Sequence, residues 1–135
     1  MIVKNEENNI ERLLDSVKPI VDYVCICDTG STDSTVEVIQ KYLKRNNLKG
    51  KVIHKEFVDF ATNRNYALHE AQFCADYVLL MDADMVLEVN EKFNKNIFSN
   101  IARVHEGVSK VIKVNFYDSL ENELKYFIKC SAKSI

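Results

Sequence analysis

Val21-Asp22-Tyr23-Val24-Cys25-Ile26-Cys27-Asp28-Thr29-Gly30-Ser31-Thr32-Asp33 is an apolar run that ends in a carboxylate and passes straight into a polar turn. Val21 to Cys27 is short and rich in apolar and β-branched residues, which predicts a buried strand. Asp28 to Asp33 supplies turn and helix-capping residues. Ser31 or Thr32 is expected to cap the helix that follows, leaving Asp28 free to accept a hydrogen bond from a ligand. Val36, Ile39, Tyr42 and Leu43 then mark the apolar face of that helix, which the pattern ends near Asn46-Asn47.

The same alternation continues outward. On the N-terminal side, Met1 to Val3 reads as the tail of a strand and Lys4 to Asn9 as a polar turn. Ile10, Leu13, Leu14 and Val17 recur at helical spacing until Pro19 stops the helix. On the C-terminal side, Lys51 to His54 is a short strand, and Ala61 to Phe73 a helix with Ala67, Leu68 and Ala71 on its inner side. Tyr77 to Met81 is the most apolar predicted strand and runs into Asp82-Ala83-Asp84. A helix is expected over Glu91 to Val104, then strands over Val111 to Phe116 and Leu124 to Cys130, with a polar turn between. Buried strands alternating with helices imply an α/β fold: a Rossmann-like, mostly parallel sheet flanked by helices, closed by a C-terminal antiparallel hairpin. A single domain over residues 1–135 is expected.

With 47% apolar residues and one proline, the chain is neither a disordered tail nor a linker-rich array. The formal net charge of −2 and the interleaving of lysines with acids leave no basic face for nucleic acid, and none is expected as a partner. No apolar run approaches the roughly 20 residues that span a bilayer, so no transmembrane segment is expected. The cysteines at 25, 27, 74 and 130 match no common zinc spacing. Cys25 and Cys27 share one face of a strand as small packing residues, and a reducing, cytoplasmic location is the expectation. His54, His69 and His105 form no ligand pattern and read as structural or surface residues.

In open α/β sheets ligands bind beyond the carboxyl ends of the strands. Three charged clusters fall there: Lys4-Asn5-Glu6-Glu7, Asp28, and Asp82 with Asp84. Two carboxylates one residue apart repel each other unless something binds beside them, and hard divalent cations that share oxygen ligands with phosphates answer that need. Arg64, near a helix start, carries the planar fork that suits phosphate oxygens. Phe57, Phe60, Tyr66 and Phe73 read as core residues.

Val3-Lys4-Asn5-Glu6-Glu7-Asn8-Asn9-Ile10, Cys27-Asp28-Thr29-Gly30-Ser31-Thr32-Asp33, Asp59-Phe60-Ala61 with Arg64-Asn65, and Leu80-Met81-Asp82-Ala83-Asp84 occur in this order. Together they resemble the family 2 glycosyltransferases of the GT-A fold, over about residues 1 to 90. The resemblance implies a nucleotide-sugar donor, a UDP-sugar by analogy, and an acceptor that is a glycan, lipid or protein. Ile2, Val3, Lys4 and Glu6 would cradle the base and ribose. Asp28 corresponds to the aspartate that hydrogen-bonds the uracil, and Arg64 to the arginine near the diphosphate. Asp82 and the adjoining Ala83 would lie nearest the ribose, and Asp84, with Asp82, would hold Mn²⁺ or Mg²⁺.

Two departures from the family pattern shape the expectation. The family's first strand normally starts before the position of Met1, and inverting members carry a general-base carboxylate well downstream of the paired aspartates. The chain therefore reads as truncated at both ends, with the catalytic base unidentified. His105-Glu106 resembles a His-Glu pair of relatives but falls too early, on a predicted helix end. The alternative is a nucleotide-sugar-binding module that lacks the base and transfers poorly. Asp28-Thr29-Gly30-Ser31 also matches the aspartic protease sequence, but that fold is all-β and turn-rich, whereas this chain has three glycines and clear helical patterns. Asp82-Ala83-Asp84-Met85-Val86 resembles the first-strand motif of haloacid-dehalogenase-type phosphatases, yet three β-units precede it here.

Overall fold

The computed structural model describes residues 1–75 and 78–88 in full, together with the backbone of 111–117 and 123–129. Among these, β1 (Ile2–Val3), β2 (Tyr23–Asp28) and β3 (Lys49–His54) form a parallel sheet in that spatial order. β2 is paired on both edges, Val3 lying opposite Asp28 and Asp28 opposite His54, so the three strands finish level with one another. The helices α1 (Ile10–Val17), α2 (Thr35–Arg45) and α3 (Phe60–Ala71) are the crossovers between and after them.

Alternation along β2 sends its side chains to two different cores. Val24 and Ile26 join Ile10, Leu13, Leu14 and Val17 of α1 and Ile39 and Tyr42 of α2 in one cluster. Cys25 points to the opposite face, where its thiol approaches the Ala67 carbonyl of α3 at 4.0 Å. The sheet is thus covered on both sides, as the apolar character of β2 demands. Tyr42 is fully buried, and its hydroxyl donates to Asp15 at 2.6 Å, which ties α2 to α1 without an orphaned polar atom. Gly50 is required by proximity: a Cβ there would sit 2.8 Å from the Val24 carbonyl oxygen.

Several expectations change. Val78 to Met81 does not form a strand among the described residues, although Leu79 and Met81 pack against the α1–α2 core. Its apolarity reports burial, which side-chain packing satisfies without a ladder. The inner face of α3 is Asn63, Ala67 and Ala71, while Leu68 is only half-buried. Neither Ser31 nor Thr32 caps α2; the Asp33 carboxylate accepts the Thr35 N–H at 3.0 Å instead. The helix expected over Glu91 to Val104 lies outside the described residues. β4 (Val111–Tyr117) and β5 (Glu123–Lys129) pair antiparallel, with Val114 opposite Tyr126.

The loops that leave β1 and β2 hold each other. Asn5 adopts φ +55°, a left-handed conformation that asparagine tolerates, and accepts the Thr32 N–H at 2.8 Å while its own N–H reaches Ser31 Oγ. The Glu6 N–H donates to Thr35 Oγ1 at 2.7 Å, and Glu7 exchanges bonds with Asp33 and Ser34. Much of the polar character of both motifs is therefore structural. Thr35 is fully buried, so Thr35→Val keeps the shape but leaves the Glu6 N–H without its acceptor. That substitution should cost roughly 1–3 kcal/mol, read as a lowered urea midpoint with an unchanged m-value.

Candidate functional site

A cleft of about 510 Å³ opens beyond the carboxyl ends of β1 and β2. Ile2, Val3, Lys4 and Glu6 line it from β1 and its loop, and Thr29 from the residue after β2. Phe57, Phe60 and Arg64 come from the β3–α3 connection and the start of α3, and Asp82, Ala83 and Asp84 close the opposite wall. Every residue expected at the site except Asp28 lines this one cleft.

The Asp82–Asp84 wall is positioned by α1. Arg12 Nη2 donates to the Asp84 carbonyl at 3.2 Å, and the Leu87 N–H donates to Ser16 Oγ at 3.0 Å. Met81 and Ala83 turn inward and are 5% exposed, which sends the Asp82 and Asp84 side chains outward on the alternate positions. Asp82 is already paired: Arg64 Nη2 donates to both of its oxygens at 2.8 Å. The repulsion expected between the two aspartates is thus relieved by a protein cation, and Arg64 is not a merely solvated arginine. Asp84 is exposed at the rim. Among the described residues no cluster of three or more potential ligands forms a ready metal cage. Glu6 Oε2 accepts from the Asn9 amide at 2.9 Å, and Lys4 is exposed.

Asp28 is not free, contrary to expectation. Its side chain is 5% exposed, and Oδ2 accepts the N–H groups of Gly30 and Ser31 at 3.2 Å and faces His54 Nδ1 at 3.3 Å. Oδ1 accepts the Ser31 N–H as well, at 3.2 Å. Gly30 sits at φ +104°, which glycine alone adopts without strain and which aims its N–H back at the carboxylate. His54, read as a structural or surface residue, is solvent-exposed and takes a structural role against Asp28. Thr29, fixed by its N–H and hydroxyl on the Val3 carbonyl at 2.9 and 3.0 Å, takes the place in the cleft wall beside Asp28.

The aromatic residues also depart from expectation. Phe57 and Phe60 are 45% and 65% exposed, and Phe73 is exposed as well. The rings of Phe57 and Phe60 meet edge to face at 5.2 Å, and the Arg64 guanidinium lies over Phe60 at 5.7 Å. Thr29, Phe57 and Phe60 are the lining residues that reading the sequence missed. The available signal was position: Thr29 follows a strand-end aspartate, Phe57 occupies the loop between a strand end and a helix start, and Phe60 opens that helix.

The family model of glycosyl transferase family 2 matches residues 1–125. The chain belongs to glycosyl transferase family 2. An uncharacterized glycosyltransferase of Rickettsia typhi is 38% identical over 84 residues, which is 62% of this chain and 26% of that protein. The chondroitin synthase of Pasteurella multocida is 39% identical over 87 residues, 62% of this chain and 9% of that protein. The chain thus spans about a quarter or less of the length of these relatives. Among solved structures, S. aureus TarS 1–349 in complex with UDP superposes with a TM-score of 0.52 at 30% identity, covering 76% of this chain and 29% of that one. The α/β architecture is that of the GT-A-like fold.

Burial pushes the Asp28 carboxyl up, but the hydrogen bonds from Ser31, Gly30 and His54 outweigh it and hold its pKa below the ordinary 3.8. A depressed carboxylate pKa stabilises the fold above the unfolded value, and that contribution disappears as pH falls through the folded value. Asp28→Asn should therefore cost roughly 1–3 kcal/mol at neutral pH. In urea melts the gap to the wild type should close below about pH 3.8, the ordinary value of this group.

Proposed function

We propose that residues 1–135 form a single donor domain that binds a nucleoside diphosphate sugar, a UDP-sugar, for transfer to a glycan, lipid or protein acceptor. The observation that carries this reading is the shared cleft: Lys4, Arg64, Asp82 and Asp84 converge on one 510 Å³ space at the end of a family 2 sheet. The TarS structure solved with UDP supports UDP as the nucleotide. Three free thiols among the described residues, Cys25, Cys27 and Cys74, suit the cytoplasmic location included in this reading.

Ile2, Val3, Lys4 and Glu6 border the base and ribose side, and Asp28 reads the base through the lone-pair capacity left on Oδ1 while its other bonds fix Thr29 and the turn. Arg64 serves the diphosphate. Its pair with Asp82 is about half-exposed on both sides, so it is worth at most ~1 kcal/mol, and phosphate oxygens can displace it. That exchange would free Asp82 for the ribose or for a cation.

The residues present fit Mn²⁺ or Mg²⁺ that arrives with the diphosphate better than an ion held beforehand. Such cations are commonly held by one or two carboxylates together with substrate phosphates, and here Asp84 offers an exposed carboxylate with Asp82 beside it. Bound there, the ion would supply Lewis-acid stabilisation to the departing nucleoside diphosphate. Arg64 and Lys4 add positive charge on the protein's side, and the apolar contacts of Met81 and Ala83 keep the aspartate wall in place. Transfer to a hydroxyl also needs a base within hydrogen-bond reach of the acceptor, and no described residue of the cleft is assigned that role. A binding module without transferase activity is therefore the second reading.

Calorimetric titration with UDP-sugars and GDP-mannose, with and without Mn²⁺, tests the donor assignment. Asp84→Ala should abolish the Mn²⁺-dependent gain in UDP affinity while metal-free binding and the thermal midpoint stay close to wild type. An undiminished Mn²⁺ effect in that variant refutes the metal assignment. Asp28→Ala should weaken UDP by roughly 1.5–3 kcal/mol, the worth of a charge-assisted hydrogen bond, and inorganic pyrophosphate much less. Equal losses would reduce Asp28 to holding the turn.

A further inference from the structure

Phe57 is a large apolar side chain left 45% exposed in a loop that is held firmly in place. Asn63, fully buried on α3, accepts the Val58 N–H at 2.9 Å and donates to the Glu56 carbonyl at 3.1 Å, so the residues on either side of Phe57 are pinned. Asp59 caps α3 by accepting the Thr62 N–H at 2.7 Å. The ring is therefore presented by a preorganised frame, which lowers the ordering cost of any ligand that lands on it.

The ring also keeps an uncovered face. Phe60 meets it edge to face, and whichever ring offers the edge, at least one face of Phe57 is left by that contact. Phe60 carries the additional load, since the Arg64 guanidinium lies over it. Phe57 lines the same cleft as Thr29 and Arg64. A flat, weakly polar ligand group next to a phosphate-seeking arginine has the chemistry of a nucleobase joined to a diphosphate.

We propose that Phe57 is a stacking platform for the base of the bound nucleotide, with Phe60 as its strut. The assignment rests on the donor-site reading above and adds to it a contact that sets affinity for the nucleoside. Stacking tolerates any base, so Phe57 contributes affinity for the nucleoside, while hydrogen bonds from the β2 turn select among bases.

The protein contains no tryptophan, so Phe57→Trp introduces a single emitter at the point in question. Its fluorescence should be quenched on titration with UDP and unchanged with inorganic pyrophosphate. Phe57→Ala should weaken UDP roughly 5- to 150-fold, the range for removing one base–aromatic stack, with pyrophosphate affinity unaltered. Wild-type-like UDP affinity in Phe57→Ala, equal losses for both ligands, or an emission at position 57 indifferent to bound UDP would each overturn the proposal while leaving the donor site standing. A wild-type protein that binds neither UDP nor pyrophosphate would remove the donor-site reading itself, and the stacking platform with it.

Discussion

The reciprocal hydrogen bonding between the loop after β1 and the turn after β2 is the constraint on which the cleft depends. Two neighbouring parallel strands end level, and each releases a polar loop into the same space. Left alone, those loops would expose unpaired backbone donors at the start of α1 and α2. Instead Asn5, Glu6 and Glu7 exchange bonds with Ser31, Thr32, Asp33, Ser34 and Thr35. The exchange sets the entry of both helices and fixes the wall formed by Lys4, Glu6 and Thr29. Residues that look like ligand contacts in the sequence are, in several cases, the frame that makes a ligand site possible.

Charge around the cleft is balanced by weak, replaceable contacts. Arg64 is shared between the Phe60 ring and the Asp82 carboxylate, both solvent-accessible, so neither holds it strongly. Asp28 is the opposite case: buried, with its bonds supplied by rigid backbone and a neighbouring histidine. A site needs both kinds of group. The first kind can exchange partners at little cost, and the second keeps the strand end from moving.

Much of the fold was legible in the sequence because burial on two faces leaves a plain mark. Ile10, Leu13, Leu14 and Val17 could share a face only on a helix, and that helix runs Ile10–Val17. The apolar run ending at Asp28 could be buried from both sides only in a covered sheet, and β2 lies at its centre. The same logic failed at Val78 to Met81, because apolarity reports that a segment is buried and says nothing of whether its backbone pairs.

The sequence by itself determined which chemical groups gather beyond the carboxyl ends of β1 and β2: Lys4 and Glu6, Asp28, Arg64, and Asp82 with Asp84. Only the tertiary structure decided how each is used. Whether a carboxylate is free depends on donors brought from other segments, and the Gly30 and Ser31 amides and His54 meet Asp28 only once the turn and β3 have closed on it. Arg64 and Asp82 lie far apart in the chain and come within 2.8 Å in space. The loop that carries Phe57 is held by Asn63, a buried α3 residue whose amide bonds the Val58 N–H and the Glu56 carbonyl. Periodicity encodes which face of an element is buried. The partners of a polar or aromatic group at a strand end are set by long-range packing, which no local pattern records.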